Sequence, residues 1–168
     1  LYYAQVWTLL LLGIGRVSEL VAQLGIMAGY QVKICDMREE LALSWHLPDV
    51  AIEWQSPDNF VEQYATSRSA ILALAHDPRI DDMGLMTAFQ TQAFYIGAMG
   101  SVRTSDKRRE RLARICQLNE DDLSRLHAPI GLPIGSKTPM EIAIAIMADI
   151  TRCKSGISKK AVFSKVTD

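Results

Sequence analysis

The sequence predicts a doubly wound α/β domain of the Rossmann type: a parallel sheet of about five strands with a helical C-terminal extension. Three observations predict it. Short apolar runs each break at a turn, stretches of helical period lie between them, and a glycine loop joins the first run to the first helix. A chain of 168 residues, 49% hydrophobic, encloses one core and is too short for two. Residues 1–154 are read as this domain, and 155–168, with Gly156 and several serines and lysines, as a loosely patterned or swapped tail.

The first strand is read from Val6 to Leu12, a continuous apolar run ending at Gly13-Ile14-Gly15, as a strand buried on both faces ends. Val17, Leu20, Val21 and Leu24 then fall at i, i+3, i+4 and i+7, a helical stripe that Gly29 stops. Gln31–Cys35 is the second strand, which completes a β-α-β unit. Val50–Trp54 reads as a third strand and Asp58–Ala65 as a helix opened by Ser56-Pro57. Ser69–Ala75 and Ala93–Ala98 are two more strands, with a short helix over Asp81–Gln90 between them and a charged one over Ser105–Ile115 after them. Asn119 opens a short helix. Thr138-Pro139-Met140-Glu141 is a capping box with proline at the first helical position, ahead of an apolar helix over Ile142–Arg152 that should be buried nearly all round.

Composition narrows the partners. A net charge of −1, from 18 basic and 19 acidic residues, gives no field to gather nucleic acid or an anionic membrane. Cys35, Cys116 and Cys153 are odd in number, far apart and without C-x-x-C spacing, which suits a reducing, cytoplasmic compartment and neither a disulfide framework nor a zinc site. The opening stretch Leu1–Ile14 contains Tyr2, Tyr3, Gln5 and Thr8 and lacks a basic lead, so it suits neither a signal peptide nor a spanning helix. Starting on Leu1 leaves room for an upstream segment.

Chemistry gathers at the C-terminal ends of the strands, where open parallel sheets bind ligands. Gly13-Ile14-Gly15-Arg16-Val17-Ser18 fits G-x-G-x-x-G with Ser18 in the third place, and its bare backbone lets a phosphate approach a positive helix N-terminus. Asp36 ends the second strand about 20 residues on, where an acid would hold ribose hydroxyls. The alternative is that the glycines only make a tight turn and Asp36 only caps a loop, but strand, loop, helix, strand and acid agree on the first reading. In a strand order of 3-2-1-4-5 the glycine loop faces His76 and Asp77, which also read as an Asp-initiated turn. Gly100, Ser101 and Arg103 follow the fifth strand, and Arg103 is placed to clamp a phosphate bidentately. Arg109, Arg111 and Arg114 read as a solvated helix face. The predicted cofactor-binding set is thus Gly13, Gly15, Arg16, Ser18, Asp36, His76, Asp77, Gly100, Ser101 and Arg103, with no catalytic residue and no metal ligand.

Gly131-Leu132-Pro133-Ile134-Gly135-Ser136-Lys137-Thr138 has G-x-x-x-G-S-K-T spacing and no preceding strand, so it is not a P-loop. It suits an anion arriving from the sheet edge or a stiff connection between helices.

Three segments carry a resemblance to a known family: 73–82 (ALAHDPRIDD), 95–104 (YIGAMGSVRT) followed by Lys107-Arg108-Arg109, and 126–135 (LHAPIGLPIG) followed by Lys137-Thr138-Pro139 and Glu141-Ile142-Ala143. With the glycine loop and Asp36 they cover nearly the whole chain, and it resembles the C-terminal domain of the XdhC/CoxI family. The resemblance implies a Rossmann-like fold and service to molybdenum hydroxylases of the xanthine and carbon monoxide dehydrogenase type. Such proteins hold the molybdenum cofactor, as molybdopterin or its dinucleotide form, protect it during sulfuration and help insert it. Implied partners are the hydroxylase apoenzyme, a cysteine desulfurase and a second copy of the chain. Two departures stand out: Arg16 replaces a histidine common after the first G-x-G, and Ser18 replaces a glycine or alanine. The family's N-terminal domain, with its cysteine, is not among these residues.

The expected function is therefore that of a cofactor-binding maturation chaperone, an accessory protein rather than an enzyme. The fingerprint alone also suits an NAD(P)-dependent oxidoreductase, which would need a substrate acid or base such as His76-Asp77 and a second domain to hold the substrate. A docking module with a vestigial site is the third reading.

Overall fold

Leu9, Leu10, Leu11 and Leu12 have no exposed surface. Successive strand residues point to opposite faces, so such a run is stable only where both faces of a sheet are covered. The computed structural model describes residues 6–164, and there the run forms β1 (Thr8–Leu12), inside a six-stranded, all-parallel sheet. Its companions are β2 (Gln31–Cys35), β3 (Ile52–Glu53), β4 (Ser69–Ala73), β5 (Tyr95–Ala98) and β6 (Leu126–His127), in the order β3-β2-β1-β4-β5-β6. The expected order 3-2-1-4-5 is present, and a sixth strand extends it beyond the five predicted. Two residues are too few to show a period of two, which is why β6 is invisible in the sequence.

The helices are α1 (Arg16–Met27), α2 (Pro57–Tyr64), α3 (Pro78–Ala88), α4 (Val102–Cys116), α5 (Glu120–Leu123), α6 (Pro139–Lys154) and α7 (Lys159–Ser164), with a 3₁₀ turn over Glu39–Ser44. Leu9 and Leu11 pack with Val21 of α1 and Ile146 and Ile150 of α6. Leu10 and Leu12 pack on the other face with Phe60 of α2, Leu85 of α3 and Leu112 of α4. Truncating one of these leucines to alanine would cost about 2–5 kcal/mol. Among the described residues no helix is long and apolar enough to cross a membrane.

Two helix starts and one burial pattern differ from the sequence reading in ways that matter for the site. α3 starts at Pro78 rather than Asp81, because Asp77 caps it by accepting from the Arg79 N–H. α4 starts at Val102 rather than Ser105, capped by Ser101, whose hydroxyl accepts from the Thr104 N–H at 3.1 Å. Both helices therefore begin at the edge of the sheet. α6 has the predicted capping box between Thr138 and Glu141, but it is not buried all round: Met140 and Ile144 are exposed, while Ala143, Ala145, Ile146, Asp149 and Ile150 face inward. The loosely patterned tail contains α7, and residues 1–5 and 165–168 lie outside the described residues.

Candidate functional site: a cleft where four helices begin

The turn after β1 is built by close approach. Gly13 has φ 103°, and a Cβ there would lie 2.4 Å from the Ala75 Cα, so the β1 loop can touch the β4 loop only through a bare backbone. Ser18 is fully buried and donates its hydroxyl to the Gly13 carbonyl at 2.6 Å, which ties the first turn of α1 back to the loop. Gly15 is different. Its backbone is extended, and a Cβ there would meet nothing within 4 Å.

The open space beside Gly15 is a cleft of about 680 Å³ at the C-terminal edge of β1, β4 and β5. It is lined by the starts of four helices: Gly15, Arg16 and Val17 of α1, His76 and Pro78 of α3, Gly100, Ser101 and Thr104 of α4, and Lys137 and Pro139 of α6. Helix N-termini carry unsatisfied N–H groups and a partial positive charge. Arg16, Arg108 and Lys137 add full charges, and among the described residues no carboxylate lines the cleft. The ligand such a site favours is an anion.

Of the predicted set, the structure brings Gly15, Arg16, His76, Gly100 and Ser101 to this cleft, and Gly13 and Ser18 beneath its floor. His76 has φ 58°, a left-handed conformation that non-glycine residues rarely adopt. Asp77 points away and pairs with Arg79, whose hydrogen bonds hold its carboxyl below the usual range. Arg103 is exposed and does not line the cleft; Arg108, further along α4, reaches it instead. Lys137 belongs to the segment whose spacing excludes a P-loop. The only sequence signal for it is a pair of glycines ahead of a capped helix.

Asp36 is placed under the loop. It has no exposed surface, and its carboxylate accepts from the Ile14 N–H at 2.7 Å, the Arg38 N–H at 2.8 Å, and Arg38 Nε and Nη2 at 3.0 and 2.8 Å. No lone pair is left facing the cleft for a ribose. Burial pushes the Asp36 pKa up, but hydrogen bonds from Arg38 and Ile14 outweigh it and leave the net shift downward. Arg38 also donates to the Ala75 carbonyl at 3.2 Å, so the pair staples the loops after β1, β2 and β4 together.

The sequence pattern that defines the XdhC Rossmann domain fits residues 9–150 of this chain. The chain belongs to the XdhC family. Curated relatives include "Uncharacterized protein YqeB" of Escherichia coli K12, 30% identical over 88% of this chain, and a probable xanthine dehydrogenase subunit of Bacillus subtilis 168, 24% identical over 89%. A third, "Molybdenum cofactor insertion chaperone PaoD" of Escherichia coli K12, is 26% identical over 49% of the chain. The chain spans 27%, 44% and 26% of their respective lengths. A solved xanthine dehydrogenase (BH1974) from Bacillus halodurans superposes with a TM-score of 0.76 at 22% identity, over 95% of this chain and 46% of its own, which shows the shared fold.

The back wall of the XdhC cleft is a charge network. Arg108 is buried, donates to the Met99 carbonyl at 3.3 Å and pairs with Asp82 at 3.4 Å. Arg111 donates to Asp82 at 2.6 Å, and Arg109 donates to the Leu123, Leu126 and Ala128 carbonyls. These two are not a solvated face, which corrects the sequence reading: each long side chain finds carbonyl or carboxylate partners on the neighbouring loops or α3. Asp81 has no exposed surface. One of its oxygens accepts from the Ala75 N–H at 3.0 Å, while the other lacks a hydrogen bond and lies 3.9 Å from Arg108. Burial pushes its pKa up to about 6, against the pull of Ala75 and Arg108.

A carboxyl whose folded pKa is raised contributes stability below its unfolded pKa and loses it as pH rises through the folded value. Between pH 4 and pH 7 the protein should therefore lose up to about 3 kcal/mol that the Asp81→Asn variant keeps, at 1.36 kcal/mol per pKa unit. Denaturant unfolding at the two pH values measures this. Identical pH slopes for the two proteins would show that Asp81 titrates normally.

Proposed function

We propose that this domain is a cofactor-holding module in the maturation of a molybdenum hydroxylase, and that the four-helix cleft grips the phosphate-bearing end of the molybdenum cofactor. One observation carries the reading: a cleft with four helix N-termini, three cationic side chains, no carboxylate among the described residues and a glycine whose missing Cβ leaves it open. The donor set fits the group. Backbone N–H groups at Gly15 and Arg16, with the Arg16 and Lys137 side chains, would hold phosphate oxygens as helix starts hold anions. Ser101 and His76 would face the remainder of the ligand. When bound, the cofactor supplies the redox chemistry of the client enzyme; this chain's residues bind, orient and shield it. The names of the relatives support a role beside a xanthine dehydrogenase-type enzyme. The client apoenzyme as partner and the cytoplasm as compartment belong to the same proposal.

An NAD-dependent oxidoreductase of this fold needs an acid free to hold the adenosine ribose, and the Asp36 carboxylate is fully engaged by Ile14 and Arg38.

The test is to purify the protein from cells that make molybdenum cofactor and identify the bound pterin, nucleotide and metal. A pterin phosphate should co-purify with the unmodified chain. Lys137→Ala should weaken retention roughly ten- to over a hundredfold, the loss of one charge-assisted hydrogen bond of about 1.5–3 kcal/mol. Retention of NAD(P) in place of a pterin, or steady NAD(P)H oxidation with a small carbonyl substrate, would overturn the proposal.

A further inference from the structure

Behind the wall of the cleft lies a carboxylate oxygen without a hydrogen bond. Asp81, in the first turn of α3, is fully buried, and its Oδ2 has no hydrogen-bond partner among the described residues, although Arg108 Nη2 is 3.9 Å away. Buried polar atoms are nearly always satisfied, so this one marks a group for which ionisation is not the only favourable state. Protonation is the simple remedy, because the acid then sheds the charge that burial penalises.

Arg108 connects this acid to the cleft. Its guanidinium runs beneath Gly100, where a Cβ would lie 3.6 Å from Nη1, and it lines the cleft. An anion held at the Gly100-Ser101 turn therefore meets it across bare backbone. On its other side the guanidinium faces two acids. Asp82 is 3.4 Å from Nε and is shared with Arg111, which binds it at 2.6 Å; Asp81 is the second acid. With both acids ionised, Arg108 and Arg111 are matched charge for charge and nothing is left over for a ligand. With Asp81 protonated, the group carries one net positive charge.

We propose that anion binding in the cleft is coupled to protonation of Asp81: the anion and the Asp81 carboxylate compete for Arg108, so the filled cleft takes up a proton and the emptied one returns it. One proton moves between solvent and Asp81, and no covalent bond to the ligand forms or breaks. The coupling rests on the reading of the cleft as an anion site, and holds whether or not that anion is a pterin phosphate. Asp81 touches no ligand and acts as a positioning residue, through Arg108.

Such coupling is reciprocal: an anion that eases protonation of Asp81 is bound more tightly, by the same factor, once Asp81 is protonated. Burial raises the Asp81 pKa to about 6, so the acid of the empty cleft is mostly ionised at pH 7 and a modest further rise brings it into the neutral range. The other charges facing it are Asp82 on the same helix, which pushes the value up, and Arg108 of α4 and Arg38 of the loop after β2, which pull it down. Arg38 is itself held by Asp36. His76 lines the cleft, and an imidazole gains charge over the same range, so the experiment has to separate the two.

The experiment titrates the full chain, in a His76→Gln background that removes the imidazole, with sulfate, a dianion throughout the range used. Calorimetry in buffers of different ionisation enthalpy counts the protons. With coupling of about fivefold, the low end for linked sites, affinity should rise roughly fourfold between pH 7.5 and pH 5, and roughly 0.4 of a proton should enter per sulfate near pH 6.3. Adding Asp81→Asn should abolish the uptake, flatten the profile and give at pH 7.5 the affinity its parent reaches at pH 5. A purely structural Asp81 would move stability and leave the proton count unchanged. No sulfate binding, a flat profile without proton uptake in the parent, or uptake that survives Asp81→Asn would each overturn the coupling; the first two need no second variant to fold. Sulfate binding with this profile in a chain that retains no pterin would refute the cofactor reading alone, and retained pterin with a flat sulfate profile would refute the coupling alone.

Discussion

Gly13→Val is expected to destabilise the fold severely, while Gly15→Val costs the protein only its cleft. Both glycines belong to one fingerprint, yet they do different work. At Gly13 the backbone has φ 103°, and the new Cβ would lie 2.4 Å from backbone atoms of Ala75, which belong to a neighbouring strand end and cannot swing away. A strained backbone of about 1–3 kcal/mol and overpacking of about 1–3 kcal/mol add to a large share of the roughly 5–15 kcal/mol that holds a domain together. Gly15 is extended and faces open space, so valine is accommodated there, and its branched side chain fills the room an anion would occupy. Thermal unfolding should show a large drop for Gly13→Val and a shift of a few degrees at most for Gly15→Val. Cofactor retention should be lost in Gly15→Val all the same. Equal losses of stability in the two variants would mean that the turn, rather than the close approach to Ala75, sets the requirement for glycine.

Asp36→Ala is expected to destabilise by about 3–5 kcal/mol, the cost of breaking a buried pair from one side. It would leave the Ile14 N–H unpaired in the interior and Arg38 without its counter-ion, and so release three loops at once. The pH dependence has a definite sign. The folded pKa of Asp36 is depressed, so its contribution is present above the unfolded value of about 3.9 and is lost as pH falls through the folded one. Unfolding at pH 7 should therefore separate the variant from the unmodified chain, and acidification below about pH 4 should bring them together. The Asp81 effect runs the opposite way and at higher pH, so the two carboxyls can be told apart in one titration. A variant as stable as its parent at pH 7 would refute the stapling role.

The sheet is legible in the sequence because its evidence is repetitive. Four leucines in a row, ended by Gly13, allow little else than a strand covered on both sides, and the apolar stripe from Val17 to Leu24 can only be a helix lying on it. The cleft is legible at its backbone and only in part at its side chains: Arg16 and His76 reach it, Asp36, Asp77 and Arg103 do not. Gly15, Gly100 and Ser101 reach the cleft because strand ends must converge there, whatever the side chains do. Nearness to the turn favours Arg103 over Arg108, but direction decides otherwise. Arg108 follows Thr104 by four residues and shares its cleft-lining face, where Asp82 and the Met99 carbonyl fix it. Asp36 reads as a ligand acid by its position. Arg38, two residues later, folds back on it, and a motif built on spacing does not register that neighbour. Asp81 and Arg108 come together from α3 and α4, and no local pattern announces a pair assembled over that distance.

The sheet tapers toward its borders. β3 and β6, the outermost strands, are two residues long each, while the four inside them run to four or five. An open sheet recruits strangers through the bare amides and carbonyls of its rim, and a rim this short offers little to add to. On the β6 side the closing is active as well, since Arg109 draws the Leu126 carbonyl to itself. Growth of the sheet from chain to chain is thereby suppressed. Whatever this domain meets, it should meet through helix faces and the loops around its cleft, which keeps that cleft at the centre of any encounter.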